Sequence, residues 1–341
     1  MHQISHKMHP MNKPPLTHSY KPPLVSVVMP VFQHTERKLR RAIQSILDQT
    51  YPHFELIIVD GAKTRQNESV VQSFADPRIR YFRQTGYISC LNYGLKQSKG
   101  TYIARMDSDD ISYPTRLAEQ VHFLQHNPQI DLCSCLADLH GDTLYKRSCH
   151  RLSMTLENII QGEAPLHPAI MFRRKLNVRY DPLKPLEDCL LFRKLTLKHT
   201  KFAIINKPLY SYYIAPKSIM KMYPRFIDFL MLKIHIWTFA KYTHSSLPFA
   251  DQIFVKKTFS RKDIVAFMKF SYAMRRHLKH LHFKIPKDLR PYWHYMWRHS
   301  SWSARSAVLC PWYFLSFFKW DMLYFYKRLF REHKKLSNTT F

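Results

Sequence analysis

Tyr102-Ile103-Ala104-Arg105-Met106-Asp107-Ser108-Asp109-Asp110 sets a short apolar run directly against three carboxylates. The apolar half reads as a buried strand. The acidic half does not belong in a core, because like charges this close repel and raise one another's pKa unless a cation sits among them. A hard divalent ion, Mg²⁺ or Mn²⁺, suits one or two carboxylates completed by phosphate oxygens. Two readings stand at this point. One is a metal–diphosphate site at the carboxyl end of a β-strand. The other is a solvated acidic turn that caps the helix after it.

Upstream, Leu24-Val25-Ser26-Val27-Val28-Met29 is a buried-strand run stopped by Pro30. Leu39, Ala42, Ile43, Ile46 and Leu47 then recur at helical spacing, with Thr35 and Glu36 as the start signal. Phe54–Val59 is a second strand ending at Asp60-Gly61, and a short helix carries Val70, Val71 and Phe74 on one face. Ile79–Phe82 is a third strand, and Leu91 and Leu95 mark a third helix that ends by Lys99-Gly100. Strand and helix alternate with connections short enough to be crossovers, which predicts a mostly parallel, Rossmann-like α/β sheet flanked by helices. Ligands of such sheets sit at the carboxyl ends of strands. Pro30-Val31-Phe32, Asp60-Gly61 and Asp107–Asp110 all fall there. Neither phosphate-binding glycine motif is present, so metal and basic side chains would have to hold a phosphate.

Downstream, Pro114 stands at the start of a helix bearing Leu117, Val121 and Leu124. Ile130–Leu136 reads as a strand, as does His167–Arg174, whose end is basic. Leu186-Glu187-Asp188 opens a helix, and Phe202–Ile205 is a further strand followed by Lys207–Tyr213. Cys133 and Cys135 fall at alternate positions of a strand, and the six cysteines form no C-x-x-C pair, so reduced thiols are expected.

The chain carries 53 Lys+Arg against 24 Asp+Glu, a net charge of +29. That balance calls for an anionic partner: nucleic acid, a membrane surface or a phosphorylated substrate. Residues 1–23 read as a disordered leader without an apolar signal core. Residues 24–223 form the catalytic domain on this reading. Residues 224–341 contribute 22 Lys+Arg and six Asp+Glu, with many aromatic residues, and read as a mainly helical, basic and aromatic extension. Ala307–Phe318 is apolar but too short to span a bilayer, and suits an interfacial position. Packing of that extension on the catalytic domain is the other reading. His277, His280 and His282 have ligand-like spacing but lie among Arg275, Arg276 and Lys279, which disfavours zinc.

Taken together, Val25–Phe32, Ala42–Pro52, Phe54–Asp60, Gly86–Asn92, Ile103–Arg116, His167–Arg173 and Leu186-Glu187-Asp188 resemble a family 2 glycosyltransferase of the GT-A fold, of the group that builds lipopolysaccharide and capsule. The resemblance implies a metal-dependent, inverting transferase that moves a sugar from a nucleotide-sugar donor, UDP-linked on this reading, to a saccharide or lipid-linked acceptor. It implies that Pro30 and Phe32 border the base, that Asp60 lies by the base or ribose, and that Arg105 and Asn92 belong to the donor-binding set. Asp107-Ser108-Asp109 matches the D-x-D motif, with Asp109 the leading metal ligand and Asp107 a ligand turned toward the ribose. Asp188 is the implied catalytic base, with Glu187 beside it. The chain departs from the family pattern where Gly61, Leu190 and Ala215 stand in places the family often fills with polar residues.

The expected location is the cytoplasm, peripheral on the inner face of the plasma membrane, with no nucleic-acid partner. Two alternatives remain at this stage: a nucleotidyltransferase on a similar sheet, and a non-enzymatic nucleic-acid binder motivated by the charge alone.

Overall fold

The computed structural model describes residues 21–32, 35–140, 145–147, 164–183 and 185–214, together with Ile159 and a few isolated positions between 234 and 266. Most of the leader 1–23, most of the extension 224–341, the three clustered histidines and Ala215 lie outside the described residues.

β1 (Val25–Val31), β2 (Phe54–Asp60) and β4 (Tyr102–Arg105) are buried along their whole length. Their near-continuous apolar runs are the mark of strands covered on both faces. α1 (Glu36–Leu47), α2 (Gln66–Gln72) and α4 (Arg116–His126) pack against one face, where Val25, Val27 and Met29 meet Leu39, Ile43, Val71 and Leu117. α3 (Tyr87–Gln97) and α5 (Glu187–Leu197) cover the other, with Leu91, Leu191 and Phe192 against Val28 and Ile103. β3 (Ile79–Arg83) completes a parallel group in the order β3-β2-β1-β4. The chain winds outward from β1 to β3 and then returns to β1's other side. Strand order therefore reverses between β1 and β4, the place where open α/β sheets take ligands.

Beyond β4 the expectation of a mostly parallel sheet is corrected. β5 (Ile111–Ser112), β6 (Leu132–His140), β7 (Tyr145–Arg147), β8 (Met171–Arg173) and β9 (Phe202–Tyr213) make the sheet mixed. β8 runs antiparallel to both neighbours, pairing Ile103 with Phe172 and Cys133 with Met171, while β9 runs parallel to β6. Antiparallel neighbours need no crossover helix, so the spacing argument reaches only as far as β4. The strand expected over His167–Arg174 is also shorter than its apolar run. A 3₁₀ turn occupies His167–Ala169 and another Arg174–Leu176, because Pro168 fixes its own φ and offers no N–H to a ladder. β9 joins the two segments expected separately, and its register against β6 slips on either side of Leu136.

Candidate active site

The carboxyl ends of β2, β1 and β4 lie side by side, as the sheet order requires. At the first two, the Gly61 N–H donates to Val31 O at 2.8 Å. Phe32 then lies across Gly61 so closely that a Cβ at position 61 would stand 2.3 Å from its ring and 2.9 Å from Cys90 Sγ. The space beside Gly61 that a side chain would take is filled by the aromatic ring. The Phe32 ring also packs on Tyr87, centroids 5.6 Å apart, and Pro30 is buried within β1.

Asp60 is fully buried, and its carboxylate is engaged from within the chain. Oδ1 accepts from Ala62 N–H at 2.8 Å and Asn67 Nδ2 at 3.1 Å. Oδ2 accepts from the Tyr81 hydroxyl at 2.7 Å and faces Arg83 Nη1 at 3.5 Å. Burial, then Asp60 itself, pushes the Tyr81 phenol well up, so that proton stays in place. Asp60 thus anchors the loop after β2.

The acidic loop divides by burial. Asp110 is 1% exposed and accepts from the Tyr213 N–H at 2.8 Å and the Tyr210 hydroxyl at 3.0 Å. Burial, then the charge of Asp107, pushes its pKa well above the ordinary range. The same Tyr210 hydroxyl accepts from Asp107 N–H at 3.2 Å. Tyr210 therefore staples the loop to β9. Asp107 and Asp109 are turned outward, their side chains 28% and 22% exposed. Arg105, nearly fully buried, donates to Asp107 Oδ1 at 2.7 Å. Lys38 Nζ stands 4.0 Å from Asp109 Oδ2, and Arg41, stacked over Tyr213, donates to the Asp109 carbonyl at 3.1 Å. Beneath the loop the buried Arg116 donates to the Arg105 carbonyl at 3.0 Å.

The Glu187-Asp188 pair opens α5 on the other side of the switch point. It follows Leu186, a leucine held at φ +81, a conformation few non-glycine residues adopt. Glu187 is buried. Burial, then Asp188, raises Glu187 to about 7. Asp188 is half-buried, accepts from the Cys189 N–H at 2.7 Å, and is raised by burial and in smaller part by Asp107.

Asn92 does not join this cluster directly. Its amide accepts from Tyr180 N–H and donates to Tyr180 O, both at 2.9 Å. Tyr180 in turn pairs its hydroxyl with His167 Nε2 at 2.7 Å, and burial holds that imidazole neutral. Tyr87, Tyr180, Tyr210 and Tyr212 were not singled out by sequence reasoning. For the last two, the run Tyr210-Ser211-Tyr212-Tyr213 at the end of an apolar strand was the available signal.

A hard cation fits the loop as an open site. The outward donors are carboxylate oxygens, and no cluster of three or more potential ligands exists among the described residues. Further ligands would have to be diphosphate oxygens and water, the way Mg²⁺ is commonly held beside phosphates.

The sequence pattern of Glycosyl transferase family 2 matches residues 26–211, more than half of the chain. The chain belongs to glycosyl transferase family 2. This family 2 domain is 30% identical over 206 residues to an uncharacterized glycosyltransferase of Methanocaldococcus jannaschii, covering 56% of this chain and 71% of that one. It is 30% identical over 181 residues to an uncharacterized glycosyltransferase of Rickettsia typhi, covering 49% of this chain and 56% of the relative. The chain thus spans little more than half the length of the Rickettsia protein. Among solved structures, residues 1–349 of Staphylococcus aureus TarS in complex with UDP superpose with a TM-score of 0.50 at 18% identity, over 79% of this chain and 77% of that one. That likeness is one of fold. Family membership removes the motive for the nucleotidyltransferase and nucleic-acid-binder alternatives. Among the described residues no helix is long and apolar enough to cross a membrane.

Proposed function

We propose that the protein transfers a sugar, with inversion, from a nucleotide-sugar donor to a hydroxyl of a saccharide or lipid-linked acceptor in cell-surface glycan assembly. The observation that carries this reading is that the outward carboxylates Asp107 and Asp109 follow β4 at the switch point while the Glu187-Asp188 pair stands on a different element, at the start of α5. Leaving-group chemistry and proton removal need two such separated carboxylate sites.

On this reading Phe32 and Pro30 border the base, and Asp60 acts through the loop it anchors. Asp107 faces the ribose, and Asp109 with Asp107 would hold Mg²⁺ or Mn²⁺. That ion, when bound, supplies Lewis-acid neutralisation of the departing diphosphate. Asp188 takes the proton of the acceptor hydroxyl on an Oδ. The acceptor oxygen bonds to the anomeric carbon as the bond from that carbon to the diphosphate oxygen breaks, its electron pair leaving with the nucleoside diphosphate. Burial raises Asp188, and the Cys189 N–H and thiol offset part of that rise by favouring its ionised form.

The test is incubation of the full chain with Mn²⁺ and a panel of UDP-, GDP- and CMP-sugars. Saturable, metal-dependent donor binding or hydrolysis is the expected result, and no response to any donor overturns the reading. Asp188→Asn should keep donor binding and lose about 10²- to 10⁴-fold in transfer rate, the usual share of a general base. The extension 224–341, with its excess of cations, would bring the enzyme to an anionic leaflet. Flotation equal on neutral and anionic vesicles would refute that part.

A further inference from the structure

We propose that Arg41 of α1 is a positioning residue for the acidic loop: it clamps the Asp109 main chain against the Tyr213 ring, and so sets the place of the Asp109 carboxylate without occupying it. The consequence for a bound cation rests on the proposed metal role of Asp109; the clamp itself does not.

The contacts close on themselves. Arg41 Nη2 donates to the Asp109 carbonyl at 3.1 Å. The same guanidinium lies over the Tyr213 ring, 4.1 Å from its centroid. The Tyr213 N–H donates to Asp110 Oδ1 at 2.8 Å, and Asp110 follows Asp109 in the chain. Tyr213 is itself held. Its ring stacks on His140, centroids 4.7 Å apart and planes at 13°, and the next N–H, of Ile214, donates to the His140 carbonyl at 2.8 Å. Three elements, α1, β6 and β9, thus grip one turn of the loop. A planar guanidinium can lay its face on an aromatic ring while an edge donates a hydrogen bond. Arg41 Nε is buried with no hydrogen-bond partner, so the side chain gives up solvation to keep this orientation.

The neighbouring cations show why a main-chain contact matters here. Arg105 bonds a carboxylate oxygen of Asp107, and Lys38, three residues before Arg41 on α1, approaches Asp109 Oδ2 at 4.0 Å. A divalent ion at either oxygen would have to compete with that cation. Arg41 bonds the carbonyl instead, so its hold on Asp109 persists when a carboxylate oxygen turns to a ligand. The residue after it is fixed in the complementary way, by its side chain, through the Tyr213 N–H and the Tyr210 hydroxyl. The turn is therefore ordered before anything binds, and the cost of ordering it is not charged to the ligand.

The test uses the full chain as wild type, Arg41→Gln, Arg41→Lys, Tyr213→Leu and the Arg41→Gln/Tyr213→Leu double variant. Tyr213→Leu removes the ring and keeps the N–H that Asp110 accepts. Amide hydrogen exchange is followed without ligand in residues 107–112, where the Asp107 and Ser112 N–H groups donate to the Tyr210 and Ser45 hydroxyls. Arg41→Gln should speed this exchange about 5- to 10-fold, the equivalent of one lost hydrogen bond. Tyr213→Leu should also speed it, and the double variant should exceed the larger single effect by no more than about twofold, because both act through one clamp. Arg41→Lys keeps the charge without the flat fork and should resemble Arg41→Gln. Unchanged exchange in Arg41→Gln, equal acceleration throughout α1, fully multiplied effects in the double variant, or full protection in Arg41→Lys overturns the inference. The second measurement is uptake of Mn²⁺ with inorganic diphosphate, read from the paramagnetic resonance of the free ion. Arg41→Gln should weaken it about 3- to 10-fold. A wild type that takes up no Mn²⁺ would remove the metal reading, and the exchange result would still decide the clamp.

Discussion

Arg105 Nη2 stands 2.7 Å from Asp107 Oδ1, so one of the two outward carboxylates of the acidic loop carries its own counter-charge. Asp109, 22% exposed, faces the longer approach of Lys38, at 4.0 Å. The two residues look equivalent in sequence and are not equivalent in energy. Asp107→Asn leaves a nearly buried guanidinium without its partner and should destabilise the fold by about 1–3 kcal/mol, after allowance for the exposure of Asp107. Asp109→Asn should change stability by less than about 1 kcal/mol. Urea unfolding of the two variants checks this, and equal losses would contradict the asymmetry.

The carboxyl pair sets a pH dependence of the opposite sense to an ordinary surface acid. Glu187 is raised to about 7 and Asp188 is raised as well, both first by burial. Asp188 must be ionised to take a proton and burial raises it, so transfer should begin to fall above the pH range of an ordinary aspartate. The rate profile of kcat/KM reads this directly. A plateau persisting to pH 5 would show that the pair ionises like exposed carboxylates.

Much of this arrangement was legible in the residues, for a physical reason. The apolar runs of β1, β2 and β4 mark strands buried on both faces, and Pro30-Val31-Phe32, Asp60-Gly61 and Asp107–Asp110 fall at their carboxyl ends as expected. The mixed half of the sheet was not legible, because β8 contributes three residues whose direction is fixed by pairing with β4 and β6 rather than by connection length. The roles of Asp60 and Asn92 were hidden for another reason. Sequence gives a carboxylate and an amide at a motif position, but Tyr81, Asn67 and the Tyr180 main chain arrive from elsewhere to engage them.

Gly61 gives a direct test of why a family position has changed. A Cβ there would meet the Phe32 ring at 2.3 Å and Cys90 Sγ at 2.9 Å. Gly61→Asp, which puts a polar residue at this position, should displace Phe32 and weaken donor binding, at about 1–3 kcal/mol in stability for the overpacking. Gly61→Asp with Phe32→Ala opens that space and should recover part of the stability relative to Gly61→Asp alone. Calorimetric melting of the three variants decides it; a single variant as stable as wild type would mean that the ring moves aside freely.

Tyr212 is the residue whose chemistry is least accounted for by the fold. It lies two positions beyond Tyr210 on β9, and side chains two apart share one face of a strand. Tyr210 already reaches Asp110 and the Asp107 N–H, so Tyr212 extends the same row toward the open edge. Its hydroxyl has no hydrogen-bond partner among the described residues. Burial raises its pKa, and Asp107, Asp110, Asp109 and Asp188 raise it further, so the phenol keeps its proton. A half-buried phenol that stays protonated is a donor available to a bound substrate. Tyr212→Phe should therefore leave the melting temperature within about 2 °C of wild type, since a partnerless hydroxyl contributes little to the fold. It should raise KM for donor or acceptor, or lower kcat, by about 5- to 20-fold, the equivalent of one lost hydrogen bond to a substrate. Loss of stability with unchanged kinetics would assign Tyr212 to the core instead.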